Sequence, residues 1–270
     1  MKLSIRPSAI CFALFLLTLV VAGAIGSKVT RPPIEVEMQE SAFTFNSKFL
    51  ELTGLGLKTA IADLMWIQTM IESDHTHYKS RDLDSWMFRR LEAIADLDPY
   101  FYENYLYGGQ YLMIIKDDLL GADKLLSRGL KIFPSDTQLN WQMGFLWIFE
   151  LGDTKKGYPY FEVVSKSPTR GPMFDVMYAR VKSESFGDEE AYQFALESWK
   201  QHRDGTPVKE RLGLVLYSLK GARDLQCLNS GKTNCETRDF EGQPYLNEKG
   251  VWKSSKPLKS THLYRRKKRS

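Results

Sequence analysis

The 270-residue chain is 43% hydrophobic and 26% charged, a balance that fits a folded protein with a buried core and excludes disorder throughout. Its formal charge of +4 comes from one end: eight basic residues lie beyond Trp252 with no acid among them, and the other 29 bases are outnumbered by the 33 acids. The basic isoelectric point therefore describes a tail, and it excludes an extended basic face for nucleic acid.

Residues 1–8 carry Lys2 and Arg6, and Ala9–Gly26 follows without a charged residue. A run of that length is at the lower end of what spans a bilayer, and Ala22-Gly23-Ala24 also fits a small-residue cleavage site, so residues 9–27 are expected to be a transmembrane anchor or a signal peptide. Either way the positive flank holds residues 1–8 in the cytoplasm and sends the remainder across. The expected location is thus the inner membrane of a bacterium, single-pass, with the bulk of the chain periplasmic. Residues 28–48, with Arg31-Pro32-Pro33, suit an extended linker.

From Phe49 the apolar spacing becomes helical, with Leu57, Ile61, Leu64, Met65, Ile67, Met70 and Ile71 three to four apart, and no convincing alternation of strand residues follows before Leu225. Prolines punctuate the helices at Pro99, Pro134 and Pro168. A period near 34 residues is that of a helix-turn-helix repeat. Small residues recur where helices must approach closely: Gly108 and Gly109, Ala122, Gly144, Ala179 and Ala191.

Over about residues 56–202 these positions resemble the tetratricopeptide repeat family. Gly144, Trp147 and Pro168 match family positions in one unit, as do Ala122 and Pro134 in the unit before it. Asn140 and Lys156 stand where the family carries an aromatic residue and an alanine, which marks the repeats as divergent. The resemblance implies an all-α solenoid over residues 49–225: a degenerate unit (Gly56–Pro99), units ending at Pro134 and Pro168, a fourth from Pro172 to about His202, and a capping helix from Val208 to Leu225. One such unit cannot bury its own apolar stripe, so units must stack.

Beyond Leu225 the composition turns to Gly, Asn, Ser and Pro. Residues 226–252 are expected to form a small appendage, clipped by a Cys227–Cys235 disulfide in an oxidising compartment and carrying a hairpin around Asn247–Gly250. Residues 253–270 have too few apolar side chains to order themselves.

The chemistry-bearing residues assemble no enzyme signature. The chain has no Gly-x-Ser-x-Gly and no phosphate loop, and His75 and His77, two apart, point to different sides of a helix and make a poor metal site. No catalytic residue, metal, cofactor or small-molecule substrate is expected. Asp63, set among apolar residues of a helix, is expected to be buried and bonded to a neighbouring helix or an indole; a cell-wall or glycan-acting enzyme built on it is the alternative, and a membrane-associated structural spacer is another. Asp84 and Asp188 are expected as helix N-caps. Solenoids of this kind grip peptides on one face, and Tyr105, Gln138, Asn140 and Arg180 are the expected contacts to a protein partner in the envelope. The function so implied is an adaptor in a secretion, pilus or motility complex.

Overall fold

The computed structural model describes residues 14–21, 23–24, 46–54, 56–73 and 85–259. The chain divides into two units, Met1–Phe43 and Thr44–Ser270. In the first, residues 14–21 and 23–24 are helical. No helix among the described residues is long and apolar enough to cross a membrane. His75, His77, Asp84 and the extended linker up to Phe45 lie outside the described residues.

The second unit is helical with a small antiparallel two-stranded sheet at its end. Its helices are α1 (Ser47–Thr53), α2 (Lys58–Glu72), α3 (Trp86–Leu97), α4 (Tyr102–Ile114), α5 (Leu119–Ile132), α6 (Thr137–Phe145), α7 (Thr154–Lys166), α8 (Phe174–Phe186), α9 (Asp188–Gln201) and α10 (Pro207–Asn229). The last turn of α6 widens into a π-turn, Leu146–Glu150, in which Leu146 and Ile148 are both fully buried. Helices α2 with α3, α4 with α5, α6 with α7 and α8 with α9 pack as pairs, and among the described residues substantial packing joins only elements one or two apart along the chain. That is the contact pattern of a stack in which each pair is covered by its neighbours.

Side chains that accept at helix starts set most boundaries. Ser85 accepts from Phe88 N, Asp118 from Gly121 N, Asp136 from Leu139 N, Asp153 from Lys156 N and Thr206 from Lys209 N, each satisfying a backbone donor the helix leaves unpaired. Asp188 is not a cap. Gly187, at φ 98°, holds that position, and Asp188 lies in the first turn, accepting from Ser183 Oγ.

The prolines do more than stop helices. Tyr105 Oη donates to the Pro99 carbonyl at 2.9 Å, and Asn140 Nδ2 donates to the Pro134 carbonyl at 2.9 Å. In both turns the residue six positions after the proline reaches back to an oxygen that no helix ladder satisfies. Tyr105 and Asn140 are therefore 0% and 2% exposed.

Where helices meet closest, only a hydrogen fits. A Cβ on Gly144 would lie 2.2 Å from Cδ1 of Phe161, and one on Gly157 would lie 2.4 Å from Cγ1 of Ile148 and 3.0 Å from the Gly144 carbonyl. The small residue of α7 is thus Gly157, one position after Lys156. From this crossing an aromatic series runs through the core: Trp141 stacks on Phe161 at 5.3 Å, Phe161 meets Phe174 edge-on at 5.3 Å, Phe174 lies 5.2 Å from Tyr178, and Tyr178 meets Phe194 at 5.0 Å. It joins α6, α7, α8 and α9 through rings worth more than their buried area alone.

The end of the stack is closed by α10 and the segment Ser230–Lys259. Cys227 and Cys235 form a disulfide, and β1 (Leu246–Glu248) pairs with β2 (Val251–Lys253) across a turn in which Lys249 and Gly250 both have positive φ. The order extends past the expected boundary at 253. Leu258 lies against Gly221, and the Lys259 amide donates to Ser218 Oγ at 3.1 Å. Residues 260–270 lie outside the described residues.

Candidate partner-binding cleft

The turns between successive pairs are four residues long after α3 and after α5, but seven residues, Ser167–Met173, separate α7 from α8. The extra length includes Arg170-Gly171-Pro172, and a cleft of about 410 Å³ lies between this turn, α6 and α7. Thr137, Gln138 and Trp141 of α6, Val164 of α7, and Thr169, Gly171, Pro172, Met173 and Phe174 line it. This volume lies within the range of ligand pockets, roughly 300–1,000 Å³. Its walls are apolar and aromatic, and its lip is polar. Thr137 Oγ1 lies 2.6 Å from Ser167 Oγ and 3.3 Å from Thr169 Oγ1, forming a small hydroxyl cluster beside the exposed Gln138.

The turn that walls the cleft is pinned from beneath by Asp175, which is 2% exposed. Its carboxylate accepts from Arg170 Nε at 2.8 Å and from Ser198 Oγ at 2.5 Å, and His202 Nε2 lies 3.3 Å away. Arg170 also donates to the Ser167 carbonyl at 3.1 Å. Burial pushes the Asp175 carboxyl up, but the Arg170 and Ser198 hydrogen bonds, the Arg170 charge and His202 outweigh it and hold the group below its ordinary value.

A group held down in this way stabilises the fold above its unfolded pKa, and the stabilisation is lost as pH falls through the folded value. Asp175→Asn is expected to lower the melting temperature at pH 7 by about 4–8 °C, for a loss of ~2 kcal/mol. The gap between wild type and variant should close below about pH 4; a gap unchanged by pH would show that the charge is not what holds the turn.

Of the four expected partner contacts, only Gln138 lines the cleft. Tyr105 and Asn140 are corrected from surface to core residues, because both are consumed by the proline carbonyls. Arg180 is half-buried on α8, and its Nε is enclosed without a hydrogen-bond partner. Asp63, expected to be buried, is exposed on α2, as are Leu64 at 67% and Ile67 at 50%. The reason is position: α2 belongs to the first pair of the stack, and among the described residues no earlier pair covers its outer face. Trp141, Met173 and the Asp175 cluster were missing from the sequence expectations, although the added Gly171-Pro172 after Pro168 marks a lengthened turn.

A wider depression of about 710 Å³ lies between Gly152–Tyr158 and Glu184–Phe186; it is open and lined largely by turn and charged residues. Among the described residues no group of His, Cys, Asp and Glu could hold a metal ion. Compared with known proteins, the chain matches no protein-family model, no curated protein and no solved structure.

Proposed function

We propose that this protein is an adaptor of tetratricopeptide type in the bacterial envelope, tethered through its N-terminal apolar run, and that it holds an extended segment of a protein partner in the cleft between α6, α7 and α8. The cleft carries the reading. An apolar slot with a Trp wall, an exposed Met173 at 36% and an amide and hydroxyls at the lip suits an apolar side chain flanked by peptide backbone. The period near 34 and the pairwise stack support the repeat type. The enzymatic alternative rested on an apolar setting for Asp63, and Asp63 stands exposed on α2 beside the exposed Leu64 and Ile67.

A photo-reactive phenylalanine analogue placed at Gln138 is expected to give discrete protein adducts when the full chain is irradiated in its native envelope. Met173→Glu, which puts a charge in the slot, should reduce those adducts about tenfold or more. Adducts that are absent, or indifferent to Met173, would remove the cleft as the binding site.

A further inference from the structure

The outer face of α2, counted from the residue before its first turn, carries Leu57, Ala60, Leu64, Ile67 and Ile71, spaced three, four, three and four residues apart. All five are exposed, the four large ones at 63%, 67%, 50% and 74%. The opposite edge, Ala62 and Thr69, is fully buried against the rest of the stack. This is a strict seam of the kind one helix presents to another. It is narrow, with Thr59, Asp63 and Gln68 exposed beside it, and Lys58 is the sole basic residue of α2. A helix lying on a bilayer surface has a broad apolar face with a basic polar side, so the shape and charge of this face fit a helix and not lipid.

We infer that the seam pairs in parallel with the same seam of a second copy of this chain. The flanking residues argue for that occupant. In a parallel pair, a residue just before one seam position faces the residue five places later on the other helix, and here that sets Asp63 opposite Gln68 of the second copy. Gln68 Nε2 donates one hydrogen to Glu72 at 2.7 Å and has a second available for the Asp63 carboxylate. Turned antiparallel in the register that sets Ala60 against Leu64, the seam would bring the two Asp63 carboxylates together, with like-charge repulsion.

Two heptads are too few to hold a free coiled coil, but α2 is already helical and packed on α3, so docking does not spend the entropy of forming a helix. Phe49 and Leu52 of the adjoining α1 are also exposed, at 58% and 83%. The contact is independent of the cleft.

The test uses the full chain in mild detergent with Cys11→Ser, leaving Cys227 and Cys235 in their disulfide. Leu64→Cys should cross-link to itself under mild oxidation, whereas Tyr100→Cys, at a position 75% exposed on the surface, should not. By sedimentation the parent chain should be a dimer, and Leu64→Glu with Ile67→Glu should be monomeric with unchanged circular dichroism, since both residues are exposed in the single chain. A parent chain monomeric up to about 100 μM, a dimer that survives both glutamates, or cross-linking confined to mixtures of Ala60→Cys with Leu64→Cys chains would each overturn the parallel pairing.

Discussion

Gly144→Val is expected to lower the melting temperature of the stack by about 6–12 °C, and Gly213→Ala to raise it by about 2–4 °C. Both glycines lie in helices, α6 and α10, so helix propensity alone favours replacing either. What separates them is the space outside the helix. A Cβ at Gly213 meets only Trp199 Nε1 at 3.6 Å, an ordinary contact, while at Gly144 it meets the Phe161 ring at 2.2 and 2.5 Å. That ring cannot step aside, because it is 0% exposed and held between Trp141 and Phe174. Thermal unfolding followed by circular dichroism checks the pair of substitutions. Phe161→Leu should recover part of the loss in the Gly144→Val background but not in the parent. A Gly144 variant as stable as the parent would mean that α6 and α7 are not packed through this glycine.

The second large effect is expected at Asp224, 3% exposed on α10. Its carboxylate accepts from Lys220 Nζ at 2.6 Å, Arg223 Nε at 3.1 Å and Tyr245 Oη at 3.1 Å. Lys220, itself 9% exposed, also bonds Glu236 and the Arg238 carbonyl, the latter at 2.9 Å. Beyond the disulfide, this cluster ties Glu236–Tyr245 onto α10. Removing Asp224 leaves an ammonium and a phenol buried with too few partners, a loss of about 3–5 kcal/mol. Asp224→Ala should therefore speed hydrogen exchange over residues 236–245 by about a hundredfold or more while the pairs α4 to α7 keep their protection. Equal protection throughout would show that the appendage is held by other contacts.

The same cluster has an alkaline signature. Burial pushes the Lys220 ammonium down, but Asp224 and Glu236 outweigh it and hold the group above its ordinary value. Burial and the adjacent Asp224 also push the Tyr245 phenol up. Groups raised in the folded state stabilise it fully below their unfolded pKa and lose that contribution as pH rises through the folded value. The appendage should loosen first above about pH 10.

Much of the architecture is legible in the amino-acid sequence. The helical spacing from Phe49, the prolines at 99, 134 and 168 and the small residues Ala122, Gly144, Ala179 and Ala191 each reflect local sterics, and all four small residues are buried at helix contacts. The hairpin at Asn247–Gly250 and the Cys227–Cys235 bridge were legible for the same reason. The burial of two expected partner contacts was not. Tyr105 and Asn140 look like surface residues because nothing local reveals that a proline carbonyl six residues earlier needs a donor.

The sequence by itself determined that the described part of residues 49–225 is helical and where prolines divide it, because those depend on backbone sterics and on interactions within a few residues; the last helix runs on to Asn229, past the expected end at Leu225. Only the tertiary structure decided which apolar stripes are core. Leu125 and Leu126 on α5 are 1% and 0% exposed, whereas Leu64 and Ile67 on α2, with helical spacing as good, are 67% and 50% exposed. The difference is whether another pair lies alongside, and burial depends on what stacks against a helix and not on the helix's own residues.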